Sequence, residues 1–286
     1  MFLVLSLFVL SISTPAALAN VGVLDSITAR VAVPHQGRRV IALFDLDDTL
    51  FDSRTRSVRI FREFAALAKV RTKFPSEAGR LALIRPLHVL YKTDRAFLAL
   101  QIANPEFTAA AMAYWKLRFF TGAYAQYDEP ITGAVAYVNR LWQAGADIVY
   151  LSGRPQGAMG AGTYAALRAR GFPVPATQRG RDARAWLFLK ENPEQPDLDY
   201  KKLALLSIGR IGEVLATFEN EPRNANLFAE AFPRAYGVFL TTISAENPSV
   251  LLPGIVKIPH FWYKKSWLQN WNEDSAGSQF LRSPSY

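Results

Sequence analysis

Val40-Ile41-Ala42-Leu43-Phe44-Asp45-Leu46-Asp47-Asp48-Thr49-Leu50 decides how this chain is read. Five apolar residues, entered from Arg38-Arg39 and opening on two β-branched side chains, are too few for a helix and fit a buried strand. Three acids follow at once. Residues two apart on extended backbone project to one side, so Asp45 and Asp47 face a common site while Leu46 packs away. Two neighbouring carboxylates repel, and a cation between them or a bound proton relieves the repulsion. Magnesium, a hard ion that prefers oxygen ligands, suits the first solution. D-x-D alone is a weak signal, because an acidic turn whose Asp48 or Thr49 caps a helix is common. A hydrophobic strand running into D-x-D-x-T-L is far more specific.

Working outward, residues 147–151 form a second buried strand, and apolar runs at 185–189, 214–218 and 236–240 repeat the pattern. Helical spacing at 133–144, 163–170, 200–211 and 224–231 separates them, with Gly145 and Gly171 at the stops. This alternation predicts an α/β fold, a doubly wound, mostly parallel Rossmann-like sheet with ligands at the carboxyl ends of the strands. Residues 55–128 read differently. Helical spacing at 58–70, 80–91, 95–102 and 107–120, punctuated by Pro75, Pro86 and Pro105, predicts an inserted helical block. The core is then 38–54 plus 129–260, preceded by an irregular lead-in at 21–37 and followed by an aromatic and basic tail at 261–286.

Half of the 286 residues are hydrophobic and a fifth are charged, which excludes a disordered chain. A mean hydropathy of +0.04 excludes a multi-span membrane protein. The net charge of +9 favours anionic partners, namely phosphorylated metabolites, nucleic acid or acidic lipid, or else only keeps the surface soluble. With no cysteine, disulfides, thiolate nucleophiles and zinc–thiolate sites are excluded. His35, His88 and His260 lack metal-ligand spacing. Residues 1–19 read as a signal peptide with an Ala17-Leu18-Ala19 cleavage site, although no Lys or Arg precedes the apolar run. That predicts a periplasmic or secreted protein with no stable membrane span after cleavage. The alternatives are an uncleaved N-terminal anchor and a buried first helix in a cytoplasmic protein.

VIALFDLDDTL resembles the first motif of the haloacid dehalogenase superfamily, and the chain as a whole its acid-phosphatase-like branch. The resemblance spans roughly residues 38–245. It implies Asp45 as nucleophile and Asp47 as general acid/base, with Asp45 and the Asp47 backbone carbonyl on magnesium (Mg2+). An Asp at the second position implies phosphatase or phosphotransferase chemistry. Ser152, at the end of Ile148-Val149-Tyr150-Leu151-Ser152-Gly153-Arg154-Pro155, matches the second motif, where a hydroxyl and the adjoining Gly153 backbone cradle phosphate. Thr49 is placed on the substrate with them, and Arg154 is left as structural. The third motif is a lysine, Lys201 or Lys202, with the preceding Tyr200 favouring Lys201. The fourth supplies metal ligands. Glu219 stands where the family usually has Asp, and Asn224 is a weaker second candidate. Gly157–Gly162 lacks dinucleotide-loop spacing and reads as a flexible lead into a helix.

The resemblance thus implies a phosphomonoester hydrolase acting through an aspartyl-phosphate on a small phosphorylated substrate, the helical block serving as a cap. Alternatives are a phosphotransferase using the same intermediate and a catalytically silent phospho-ligand-binding protein. The tail segment from His260 to Trp271 mixes aromatic and basic residues that suit a membrane surface or nucleic-acid bases. Packing onto the domain is the favoured reading, and no nucleic-acid partner is expected.

Overall fold

The computed structural model describes residues 16–175, 183–245 and 248–262. The chain runs α1 (Ala16–Ala32), β1 (Val40–Phe44) and a short β2 (Phe51–Asp52). Six helices follow: α2 (Arg54–Ala66), α3 (Ala68–Lys73), α4 (Pro75–Ala82), α5 (Arg95–Ala99), α6 (Pro105–Phe119) and α7 (Gly122–Ala125). Then come β3 (Glu129–Pro130), α8 (Ala134–Ala144), β4 (Asp147–Pro155), α9 (Gln156–Ala169) and β5 (Ala185–Lys190). The chain continues through α10 (Asp197–Gly209), β6 (Glu213–Glu219), α11 (Pro222–Ala231), β7 (Tyr236–Leu240) and β8 (Val256–Ile258).

All five residues of β1 are buried, as a strand covered on both faces must be. It pairs in parallel with β4 on one side and β6 on the other, inside a sheet ordered β5-β4-β1-β6-β7-β8. The chain winds outward from β1 in one direction and then returns to wind in the other, so a crevice opens at the strand ends where the direction reverses. Alternate β1 residues feed two cores. Val40, Ala42 and Phe44 pack with Leu24, Ile27 and Val31 of α1 and with Tyr137, Val138 and Leu141 of α8. Ile41 and Leu43 pack with Leu205 and Ile208 of α10 and Phe228 of α11. Phe44 stacks on Phe218 of β6 at 4.4 Å between ring centroids.

The helical insertion leaves and returns through the antiparallel β2–β3 pair, Phe51 opposite Pro130 and Asp52 opposite Glu129. It has a third core of its own, with Phe61, Phe64, Phe97 and Phe107 at its centre and edge-to-face ring contacts among them. It sits on the sheet domain where α7 crosses α9. A Cβ placed on Gly162 would collide with the backbone of Gly122, so the two chains meet backbone to backbone. Gly157–Gly162 therefore lies inside α9, and a glycine there serves close approach instead of a flexible lead-in.

Several expectations are corrected. The lead-in at 21–37 is largely the helix α1, whose Leu24, Ile27 and Val31 carry a helical apolar spacing. The helix expected over 80–91 ends at Ala82, because Pro86 drives Arg85 to extended backbone (φ −130°) and leaves only a 3-10 turn at Pro86–His88. The helix expected over 58–70 breaks at Leu67 (ψ 128°). The edge strand β8 was not foreseen. Of the predicted leader, residues 1–15 lie outside the described residues. α1 runs through Ala19. Among the described residues no helix is long and apolar enough to cross a membrane. Of the tail only Phe261 and Trp262 are described, and Phe261 is fully buried against Tyr137 and Phe218.

Candidate active site

The ends of β1, β4 and β6 and the first turns of α10 enclose a cavity of about 300 Å3, walled on the other side by the insertion. Asp45, Asp47, Ser152, Lys201, Glu219 and Asn224 all line it. How the chain turns after β1 sets the first two. The Asp45 N–H donates to the Phe218 carbonyl (3.0 Å), and the Leu46 carbonyl accepts from Leu50 and Phe51 at 2.9 Å each. Asp48 takes the left-handed conformation (φ 59°), which Asp tolerates better than most residues. Its carboxylate accepts from Ser53 N and Oγ, both at 3.0 Å, tying the turn to the start of α2. Burial, helped by the Asp47 charge, pushes the Asp48 carboxyl up to about 7.

On one side of this turn lies a buried three-member cluster. Lys201 Nζ donates to Asp45 Oδ1 and to Glu219 Oε2, each at 2.7 Å, and all three side chains are 7% exposed or less. Glu219 turns its other oxygen back on its own chain, where Oε1 accepts from Asn220 N (3.0 Å) and Glu221 N (2.9 Å). Lys202, by contrast, is exposed. Burial, then the Glu219 charge, push the Asp45 carboxyl well above its ordinary value, against the pull of Lys201. Burial disfavours the Lys201 ammonium, but Asp45 and Glu219 outweigh it and hold Lys201 charged above its usual range.

On the other side Asp47 points at two arginines. Arg154 donates through Nε to Oδ2 (2.8 Å) and through Nη2 to Oδ1 (2.7 Å), and Arg56 Nη2 also reaches Oδ1 (2.7 Å). Both guanidiniums share the fully buried Asp128. Burial works against ionisation of Asp47, yet Arg154 and Arg56 outweigh it and hold the carboxyl far below the usual carboxylate range. Arg154 belongs to this network, and Arg56 and Asp128 carry no local motif because they lie 72 residues apart.

One further residue departs from expectation. Thr49, expected on the substrate, is fully buried and donates its hydroxyl to Asn220 Oδ1 (2.9 Å), which fastens the turn to the end of β6. Gly153 is confined by a neighbour. It lines the cavity as expected, and a Cβ there would lie 2.5 Å from the carboxylate of Asp197, an exposed side chain that would have to swing aside. Ser152 is buried, and its Oγ accepts from Arg154 N at 3.3 Å.

Solved structures similar to this chain are haloacid dehalogenase superfamily hydrolases and phosphatases. One is a class C acid phosphatase of Bacillus anthracis with tungstate bound, 13% identical over 94% of this chain and 88% of that one, TM-score 0.40. Another is a subfamily IA hydrolase of the superfamily from Geobacter sulfurreducens, 14% identical over 80% and 96%, TM-score 0.45. A third, from Bacillus subtilis, is a hydrolase bound to magnesium, 16% identical over 78% and 96%, TM-score 0.44. No protein-family model and no curated protein matches the chain. The likeness is one of fold, and the chemistry of the site rests on its own geometry.

Among the described residues no three His, Cys, Asp or Glu side chains are grouped to hold a metal ion. A magnesium ion does not need three, since it commonly takes one or two carboxylates and keeps several waters. The donors fit it. Asp45 Oδ2 accepts no hydrogen bond from the described residues, and two buried carboxyl groups face the single Lys201 ammonium. The Asp47 carboxylate is committed to its arginines and leaves only its backbone carbonyl.

Proposed function

We propose that this protein hydrolyses phosphomonoesters, with Asp45 as the nucleophile. The observation that carries this reading is the meeting of the Asp45 carboxylate, the Lys201 ammonium and the Ser152 hydroxyl in one cavity at the strand ends. An Asp45 oxygen attacks phosphorus, the ester P–O bond breaks, and an aspartyl-phosphate forms. An anion approaching an anion is repelled, and Lys201 offsets that charge while Ser152 donates to a phosphoryl oxygen. Asp45, Glu219 and the Asp47 carbonyl would hold magnesium, which when bound supplies further positive charge to the phosphoryl oxygens. Asp47 has the proton transfers, to the leaving oxygen first and then from the water that releases phosphate. Its pairing with two guanidiniums keeps it ionised, the form that accepts a proton in the second transfer. Trp115, Phe119 and Phe120 of the insertion wall the cavity and limit bulk water around the substrate, as a cap does.

Purified protein with p-nitrophenyl phosphate and magnesium is expected to release inorganic phosphate. Asp45→Asn should reduce that at least about 10^3-fold, and a chelator should suppress it in the wild type. Failure of the wild type to turn over any member of a broad phosphomonoester panel sinks the reading.

A further inference from the structure

Arg56 stands near the start of α2 and Asp128 immediately before β3, so they flank the two crossings between the sheet domain and the insertion. Both side chains are 0% exposed, and neither lines the cavity. Arg56 presents Nε to Asp128 Oδ1 (2.8 Å) and Nη2 to Asp128 Oδ2 (2.6 Å), a two-pronged pairing that fixes the plane of the guanidinium. Its Nη1 donates to the Phe119 carbonyl (2.9 Å). Asp128 Oδ2 also accepts from Arg154 Nη2 (2.6 Å), and Arg154 Nη1 donates to Thr163 Oγ1 (3.2 Å). Asp128 therefore sets both guanidiniums, and both guanidiniums grip Asp47. The Asp47 side chain is 32% exposed and lines the cavity, with Arg154 beside it, so it can reach a reacting molecule.

We propose that Arg56 and Asp128 are positioning residues that hold the Asp47 carboxylate ready for the second half of the reaction. The inference rests on the phosphohydrolase reading above. In that half-reaction a water oxygen attacks the phosphorus of the aspartyl-phosphate, and the bond from phosphorus to the Asp45 oxygen breaks. The water proton passes to Asp47, and inorganic phosphate leaves the restored Asp45 carboxylate. A base must sit within hydrogen-bond reach of that water, and a misplacement of about 1 Å can cost about a hundredfold in rate. Freed from Arg56, Asp47 keeps Arg154 alone, and Arg154 without Asp128 loses one of its buried anchors and keeps Thr163.

The test uses the double variant Arg56→Gln/Asp128→Asn, which removes one charge of each sign, Asn keeping the shape of Asp and Gln keeping a polar amide on a shorter side chain. The substrate is p-nitrophenyl phosphate, whose leaving group departs as a stable anion, so the first step makes little demand on Asp47. The expected result is a kcat lower by about tenfold to a hundredfold with KM falling in parallel, so that kcat/KM stays within about threefold. A burst of nitrophenolate and acid-trapped phosphoenzyme should accompany it. A network that only staples the insertion in place predicts instead that kcat/KM drops with kcat and no burst appears, and that result overturns the proposal. Unchanged kinetics overturn it too. Should the double variant not fold, Arg56→Lys, which keeps the charge and loses the fork, is read the same way. A silent wild type refutes the phosphohydrolase reading itself, whereas an active wild type without the split refutes only the positioning role.

Discussion

Two buried ion clusters sit on either side of one turn, and they are built to opposite specifications. The Asp45–Lys201–Glu219 cluster comes from the sheet and α10 alone and carries two acids to one base. The Asp47–Arg56–Asp128–Arg154 cluster draws two members from the ends of the insertion and balances two acids with two bases. Desolvated charge is tolerated where it is paired and hydrogen-bonded, so the balanced cluster is complete within the protein. The unbalanced one has a carboxyl group in excess of its base and an Asp45 oxygen with no donor among the described residues. Under the proposed function the first cluster carries the chemistry and the second the alignment.

That contrast can be broken by mutation. Lys201→Met leaves Asp45 and Glu219 buried without a counter-charge and is expected to cost about 3–5 kcal/mol of stability, read from the urea midpoint. The charge-balanced double change Arg56→Gln/Asp128→Asn should cost only about 1–2 kcal/mol by the same measurement. Equal losses would erase the distinction. Magnesium sharpens it further. At about a hundred times its dissociation constant the ion should add about 2.7 kcal/mol, seen as a raised melting temperature. Glu219→Gln should remove that rise, and the Arg56/Asp128 double variant should keep it. The last test concerns the seam between the parts. Gly162→Ala must displace the Gly122 backbone and should cost about 1–3 kcal/mol on thermal melting. Because the second cluster bridges that seam, the variant should lower kcat while leaving magnesium affinity unchanged.

Much of the sheet is written locally. An apolar run, a cluster of acids and a β-branched start suffice for β1, and the 3.6-residue spacing with Gly145 at the stop suffices for α8. Local patterns failed where a single residue overrode them, as Pro86 did between Leu83 and Tyr91, or where the period was present but unread, as in α1. The site divides in the same way. Asp45, Ser152 and Glu219 each follow an apolar strand, and the choice of Lys201 over Lys202 is a matter of which helix face is buried. Arg56 and Asp128 could not be found so, because an arginine near a helix start and an aspartate before a turn are ordinary until the fold joins them. Thr49 misled for the converse reason. Its place in the motif is right for a ligand, but its hydroxyl is already satisfied inside the protein.

The β2–β3 ladder brings Asp52 and Glu129 side by side, so everything between them hangs from a two-rung hinge and encloses its own core. Such a loop is modular by topology: a short peptide spliced across the ladder could excise it and leave the sheet standing. Arg56 and Asp128 would go with it. Under the proposed mechanism, a trimmed protein of that kind would keep Asp45 and Glu219, lose the grip on Asp47, and become phosphorylated while releasing phosphate slowly.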